Sequence, residues 1–364
     1  MTMPAGVERA EQPPTPPAGE PDQGLVESVV PQPLWRRLLA PAVKIVVAGG
    51  LLYYVLTTDV NAGAKEALRK IFAESPAALA GGVLALTAQL LIGTQRVRML
   101  LAAQGLRLGY FHMLRLTYLG AFFDTFMFTS VGGDAVKAVY LARESPPGQR
   151  VEAVSVLVLD RFLGLLGLVT LMLVMTLSHI GVLWQNPAVR PWLFWIFFFP
   201  FLLYVGAGLL LSERVYSWRY MRAMWRILPG GRFIDRAHFS LQQFRSRPQL
   251  LLAAFALSLA VHSVGILCGF FLLRGMGEAP ELMPFLVAWF LANFICSFAP
   301  MCGIGVGQVA YNLIFESTAG VMNGWVLATA VQATYILTKA PGFLAWIVSR
   351  EQGFSGAGAG KETA

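Results

Sequence analysis

Residues 119–134 read LGAFFDTFMFTSVGGD and residues 291–308 read LANFICSFAPMCGIGVGQ, and these two stretches decide the fold. Each is an apolar segment that contains a polar residue, is broken by glycines and ends on a polar side chain. Each also precedes a long apolar segment that carries charge. Glycine-broken apolar segments at corresponding positions in two halves of a membrane protein indicate a binding site between two repeats.

The composition places the chain in a membrane. Its 364 residues are 56% hydrophobic and 13% charged, with a mean hydropathy of +0.60, whereas soluble proteins carry about a quarter charged residues. A helix needs about 20 apolar residues to cross a bilayer. We therefore predict an all-α polytopic membrane protein. Full spans are predicted at 39–57, 76–95, 151–178, 192–211, 249–273 and 323–349.

Two shorter apolar segments, 111–130 and 281–300, run into the glycine breaks. Irregular backbone is tolerated at membrane depth only where it is buried in protein or lines a cavity. Each segment is therefore predicted to be one arm of a re-entrant hairpin. The alternative is that each hairpin consists of ordinary spans, which gives about eight spans in all.

Arginine and lysine orient the segments. The loop 212–248 contains eight arginines and no lysine, which places it on the cytoplasmic side. Two further cytoplasmic stretches are marked by Arg96, Arg98 and Arg107 and by Lys137, Arg143 and Arg150. Both termini are then cytoplasmic, and the two hairpins enter the membrane from opposite sides. The units 76–178 and 249–349 are therefore predicted to form an inverted repeat.

The flanking segments differ from the transmembrane domain, which is predicted to cover 37–350. Residues 1–36 are rich in proline and lack a basic stretch followed by an apolar one, so they are predicted to form a disordered cytoplasmic tail and not a signal peptide. Residues 351–364 are rich in glycine and alanine and are predicted to form a flexible tail.

The first glycine break leads into a candidate site. Gly132 and Gly133 allow the backbone to turn sharply or to approach a ligand closely. Asp134 is then predicted to cap a short helix over 135–143, with Lys137 one turn further on.

Two interpretations of this motif are open. It is either a capped turn with cytoplasmic positive charge or a helix N-terminus that, with Lys137 and Arg143, holds an anionic headgroup. Asp134 would repel an anion, so it is expected to orient Lys137 or Arg161.

Two adjacent charges lie inside the predicted span 151–178. Asp160 and Arg161 are about ten residues into the span, which at 1.5 Å per residue is about 15 Å deep. An uncompensated charge at that depth costs about 2.5–3.5 kcal/mol, so each needs a partner or a wet cavity. They form either a structural ion pair with the first hairpin or a charged lining of the pathway that a lipid headgroup follows.

The second unit has candidates at similar places. Gln308 occupies the place of Asp134, and Lys339 is the one full charge in 323–349 and is predicted to be the counterpart of Arg161. Pro341 should kink that last span. The glycine-rich stretch superficially resembles a nucleotide loop, but no strand precedes it. The glycines assigned to the pathway are Gly303, Gly305 and Gly307.

Other chemistries find little support in the sequence. The three cysteines form no C-x-x-C pattern, and no catalytic triad, acidic metal cluster or Walker motif is visible. We therefore predict no metal, no cofactor and no enzymatic activity. The loop 212–248 is basic and aromatic, which favours contact with an anionic leaflet over nucleic-acid binding.

The motifs at 132–143, 160–165 and 300–308, which read GGDAVKAVYLAR, DRFLGL and PMCGIGVGQ, resemble the lysylphosphatidylglycerol synthase transmembrane (flippase-like) family. The likeness covers about residues 40–350. The usual arginine near the first motif is Lys137 here, which keeps the charge but loses the forked geometry. A glutamate common after the third motif is Gln308 here, which weakens a proton or cation role.

The resemblance implies a bacterial or archaeal cytoplasmic-membrane protein that flips a polar lipid. In the full synthases a soluble C-terminal domain aminoacylates the lipid, whereas only about fourteen residues follow Arg350 here, so synthase activity is not expected. The first hypothesis is thus a flippase-like transporter of an anionic or phosphate-linked phospholipid or other polar lipid. The alternative is a non-transporting accessory protein that supports an envelope glycosyltransferase or lipid-modifying enzyme.

Overall fold

A computed structural model describes residues 62–126, 132–146, 149–185, 187, 190–210, 243–298 and 306–346. Several predictions lie outside these residues: the span 39–57, both tails, most of the basic loop 212–248, Gly303 and Gly305. The described residues are helical and contain no strand, which confirms the all-α polytopic class.

The first half of the structure contains three long helices and several shorter ones. A helix preceding the first long one runs directly into a π-helical turn at Lys70–Glu74. In chain order the helices are α1 Ala62–Arg69, α2 Pro76–Ala103, α3 Tyr110–Phe126, α4 Gly132–Glu144, α5 Arg150–Ser178, α6 Ile180–Gln185 and α7 Arg190–Leu210.

The second half repeats part of this series. Its helices are α8 Pro248–Met276, α9 Leu282–Phe298, α10 Val306–Ala319 and α11 Gly324–Lys339. A further helical segment follows at 341–346.

Local sequence explains where the long helices begin and end. Proline occupies the first position of α2 and of α8, where its missing N–H costs nothing. Helix α8 ends at Gly277, which adopts a left-handed conformation with φ of 83°. Helix α11 ends at Lys339, two residues before Pro341, and helix resumes at 341, so the kink at Pro341 stays a prediction.

Within the described residues, three helices are long and apolar enough to cross a membrane: α2, α5 and α8. Helix α2 continues to Ala103, beyond the predicted end of the span at residue 95. Arg96 is consequently a buried helical residue and not part of a cytoplasmic loop. The prediction was wrong because charge was taken to mark the end of the span, whereas this charge has a buried partner.

The two halves share one order of elements. Helices α2, α3, α4 and α5 correspond to α8, α9, α10 and α11, with α3 packed on α4 and α9 packed on α10. The two first helices, α2 and α8, form the most extensive helix–helix contact in the described residues. The repeat is therefore visible in the packing, while its inversion across a membrane stays a prediction.

The hairpin helices are short within the described residues. Helices α3 and α9 each have 17 described residues, which gives a length of about 25 Å against a hydrocarbon thickness of about 30 Å. Helices α4 and α10 have 13 and 14. All four border residues outside the described ranges, so the re-entrant hairpins stay a prediction.

Gly133 serves packing between the hairpin helices. Helix α4 already begins at Gly132, so the predicted turn at these glycines and the capping role of Asp134 are wrong: Asp134 lies in the first helical turn. A Cβ atom on Gly133 would overlap the carbonyl oxygen of Gly120, and one on Gly120 would lie 2.8 Å from the oxygen of Gly133. Helices α3 and α4 thus meet backbone against backbone.

Replacing Gly133 with alanine is expected to lower the free energy of unfolding by about 1–3 kcal/mol, because the added methyl group forces α3 and α4 apart. Thermal unfolding of the detergent-purified protein measures the change. Gly93→Ala is the matched control: Gly93 lies inside α2 with no atom within 4 Å of an added Cβ, and alanine there favours the helix. Equal melting temperatures for the two variants would contradict the packing role.

Candidate functional site

Asp134 is the centre of a charged cluster in the first unit. Its Oδ1 accepts a hydrogen bond from Lys137 Nζ at 3.1 Å, and its Oδ2 accepts one from Arg161 Nε. Lys137 is buried, while the side chain of Arg161 is 54% exposed. The expectation that Asp134 orients Lys137 or Arg161 is met for both side chains.

A second ion pair lies beside this cluster. Arg96 Nε donates to Asp160 Oδ1 at 2.6 Å, and Arg96 Nη1 donates to Ser258 Oγ at 2.7 Å. Both charged groups are buried. The pair therefore connects α2, α5 and α8, and the structural partner of Asp160 comes from α2 and not, as one interpretation had it, from the first hairpin.

Both clusters face one cavity of about 610 Å³. Its walls come from α2, α4 and α5 of the first unit and from α8 and α9 of the second, so the cavity lies at the junction of the two units. Its polar lining includes Arg96, Asp134, Lys137, Asp160, Arg161 and His262.

His262 is a cavity residue that sequence reasoning missed. Its Nε2 lies 2.9 Å from the carbonyl oxygen of Gly164, which assigns the ring proton to Nε2 and makes Nδ1 an acceptor. Ser297 from α9 also lines the cavity. His262 lies in no recognisable motif, whereas Ser297 lies within the glycine-broken stretch 291–308, where no pattern distinguishes it from its neighbours.

Lys339 lies between the two units. Its Nζ is 3.9 Å from Asp124 Oδ2 and 5.2 Å from the centre of the Tyr335 ring. Asp124 in turn accepts a hydrogen bond from the backbone N–H of Gly133 at 3.3 Å. Lys339 of the second unit thereby contacts the hairpin of the first.

Helix register places Tyr335 in α11 at the position that Arg161 has in α5. Lys137 and Arg161 follow Asp134 by 3 and 27 positions, and Tyr311 and Tyr335 follow Gln308 by the same 3 and 27. Arg161 lies eleven positions after Arg150 at the start of α5, and Tyr335 lies eleven after Gly324 at the start of α11. Lys339 lies one turn further along α11, so its equivalence with Arg161 stays a prediction.

Contacts within the hairpins support the same alignment of the two units, in which α3 matches α9 and α4 matches α10. Asp124 lies 14 positions after the start of α3 at Tyr110, and Cys296 lies 14 after the start of α9 at Leu282. A Cβ on Gly133 would lie 2.8 Å from Asp124 Cβ, and one on Gly307 would lie 3.3 Å from Cys296 Sγ. The charged cluster of unit one thus has an uncharged equivalent in unit two.

The remaining predicted residues divide into two groups. Gly132 and Gly133 are buried at the start of α4, and Gln308 is buried in the first turn of α10 beside Gly307. Arg143 is exposed in the last turn of α4 and does not line the cavity. Among the described side chains, no group of three or more His, Cys, Asp or Glu residues could hold a metal ion.

Comparison with known proteins identifies the family. The model of the lysylphosphatidylglycerol synthase TM region matches residues 42–338. No curated protein and no solved structure gives a significant match. The family match covers most of the 364 residues, including every helix that lines the cavity. The chain therefore belongs to the family of the lysylphosphatidylglycerol synthase transmembrane region.

Proposed function

We propose that this membrane protein moves an anionic or phosphate-linked polar lipid between the leaflets of a bacterial or archaeal cytoplasmic membrane, without enzymatic chemistry, with both termini cytoplasmic. The observation that carries the proposal is the cavity at the junction of the two units, in which Lys137 and Arg161 share one carboxylate. Polar groups at membrane depth are costly and mark substrate pathways in transporters.

Charge balance favours an anionic headgroup. Arg96, Lys137 and Arg161 supply three positive charges to the cavity, and Asp134 and Asp160 supply two negative ones, so these groups leave one positive charge over. Asp124, which also acts on Arg161, is balanced by Lys339. Asp160 is engaged by Arg96 and Asp134 by the other two cations. A phosphodiester with one negative charge would complete the balance, and an arginine such as Arg161 can bind two of its oxygens.

Lipid translocation by the purified protein tests the proposal. Proteoliposomes containing trace fluorescent phosphatidylglycerol are treated with a membrane-impermeant quencher, and the fraction of protected label is followed over time. Loss of protection faster than in protein-free liposomes supports transport, and fluorescent phosphatidylcholine tests the preference for net negative charge. Identical rates with and without protein would contradict the proposal and favour an accessory role, for which a co-purifying envelope enzyme is the expected sign.

A further inference from the structure

A second cavity lies along α6 and α7, away from the charged clusters. Its volume is about 1140 Å³, and it shares no lining residue with the cavity between the two units. That volume exceeds the ~300–1,000 Å³ of pockets that enclose drug-sized molecules. The aromatic residues of its lining are Trp184, Phe194, Phe197, Phe198 and Phe201. The cavity therefore suits a long apolar group.

One face of α7 forms most of this cavity. Arg190, Phe194, Phe198 and Phe201 follow one another at intervals of four, four and three positions, which places them on the same side of the helix. The adjoining Leu193 is buried in the hydrophobic core, so the rotation of α7 about its axis is fixed. The aromatic side chains consequently form a continuous row that begins beside an arginine.

The length of this row matches one leaflet of a bilayer. Eleven positions separate Arg190 from Phe201, or about 16 Å at 1.5 Å per residue, and the hydrocarbon core is about 30 Å thick. Helix α7 begins at Arg190, at the edge of the predicted span 192–211, so the row runs from the membrane surface towards the midplane. Because the loop 212–248 at its other end is predicted to be cytoplasmic, the row lies in the external leaflet.

Arg190 provides the polar end of the cavity. Its guanidinium carbon lies 4.9 Å from the centre of the Trp184 ring, and a stacked arginine keeps its N–H edges available for two hydrogen bonds to a phosphate. Among the described residues, its side chain has no hydrogen-bond or ion-pair partner and is the one charged group that lines the cavity. Since the described lining contains no carboxylate to pair with an ammonium group, a headgroup with net negative charge is favoured over a zwitterionic one.

We infer that this cavity binds an anionic phospholipid of the external leaflet, with its phosphate on Arg190 and an acyl chain along Phe194, Phe198 and Phe201. The inference goes beyond the proposed transport function. No charged residue follows Arg190 in α7, so this helix offers no partner to a headgroup that crosses the membrane. The lipid is therefore a resident component that supports the helix between the two units.

Protection of Arg190 from an arginine-specific dicarbonyl reagent tests the inference. The full chain in neutral detergent is modified with and without short-chain phosphatidylglycerol, and peptide mass spectrometry gives the rate at each arginine. Lipid at ten times its Kd is expected to slow the modification of Arg190 about tenfold. Arg274 is the internal control, because it is also exposed and lies over an aromatic ring, at 5.3 Å from the centre of Phe270. No slowing at Arg190, or equal slowing at Arg274, would overturn the site.

Two other ligands and one variant identify what protects Arg190. Inorganic phosphate lacks the chains and phosphatidylcholine lacks the net charge, so each is expected to protect at least about fivefold less than phosphatidylglycerol at equal concentration. Equal protection by either ligand would overturn the proposed occupant. Arg161→Ala should leave the protection unchanged, whatever its effect on translocation. Loss of protection in this variant would assign the bound lipid to the cavity between the units and overturn the second cavity as a site.

Phe198→Ala tests the placement of the acyl chain, with Phe199→Ala as its matched control. The two side chains are 39% and 42% exposed, and of the two only Phe198 lines the cavity. Phe198→Ala is expected to raise the Kd of phosphatidylglycerol at least about fivefold through lost apolar contact, while Phe199→Ala keeps the wild-type Kd. Equal Kd values for the two variants would overturn the placement of the chain on this face of α7.

Discussion

Replacing Arg96 with alanine is expected to lower the free energy of unfolding by about 3–5 kcal/mol, because it leaves the carboxylate of Asp160 buried without its cation. The Asp160 side chain is only 11% exposed in the ion pair, so solvent cannot take the place of the guanidinium group. Thermal unfolding in detergent and the yield of folded protein from membranes measure the loss.

Two further variants separate the ion pair from general damage to α2. Arg98→Ala is the control, because Arg98 lies on the same helix, is only partly buried and bonds to Gln95 of its own helix at 3.0 Å. The double variant Arg96→Met with Asp160→Leu should recover most of the lost stability, since it removes both charges together. A double variant as unstable as Arg96→Ala would show that the pair is not the cause.

Replacing Arg161 with alanine is expected to reduce lipid translocation by about 10- to 100-fold, the equivalent of losing a charged hydrogen bond worth about 1.5–3 kcal/mol. The Arg161 side chain is half exposed to the cavity, so its removal should leave the fold intact. The proteoliposome assay with fluorescent phosphatidylglycerol measures the rate, and the melting temperature serves as the check on folding.

Two further variants, Arg274→Ala as the matched control and Arg161→Lys as the conservative change, make this test specific to the cavity. Arg274→Ala removes an arginine that lies over Phe270 at the end of α8, outside the cavity, and should translocate lipid normally. Arg161→Lys keeps the charge but loses the forked geometry, so an intermediate rate is expected. If Arg161→Ala and Arg274→Ala translocate at the same rate, the cavity is not the headgroup pathway.

Composition and periodicity predicted the membrane class and the placement of most helices. The long apolar runs that became α2, α5 and α8 are recognisable because a bilayer demands about 20 apolar residues. The cluster around Asp134 could also be predicted from the sequence, because the motif places Lys137 one turn away and the charge of Arg161 inside a span needs a partner.

The rest of the site depends on contacts that no local pattern encodes. Arg96 is separated from Asp160 by 64 positions and from Ser258 by 162. His262 and Ser297 line the cavity only because the second unit packs against the first. The comparison of Arg161 with Tyr335 depends on helix register. Register can be assigned only when the first residue of each helix is known to within one position.

The backbone contacts of the first hairpin determine how it can move. No side chain separates Gly120 from Gly133, so α3 and α4 have nothing to repack at this crossing and are expected to move together. The far side of α3 is held in the same way, because a Cβ on Gly342 would overlap the carbonyl oxygen of Tyr118. A displacement of the segment after α11 would therefore push directly on the hairpin and act on the ion pair of Asp134 with Arg161, which links the hairpin to α5.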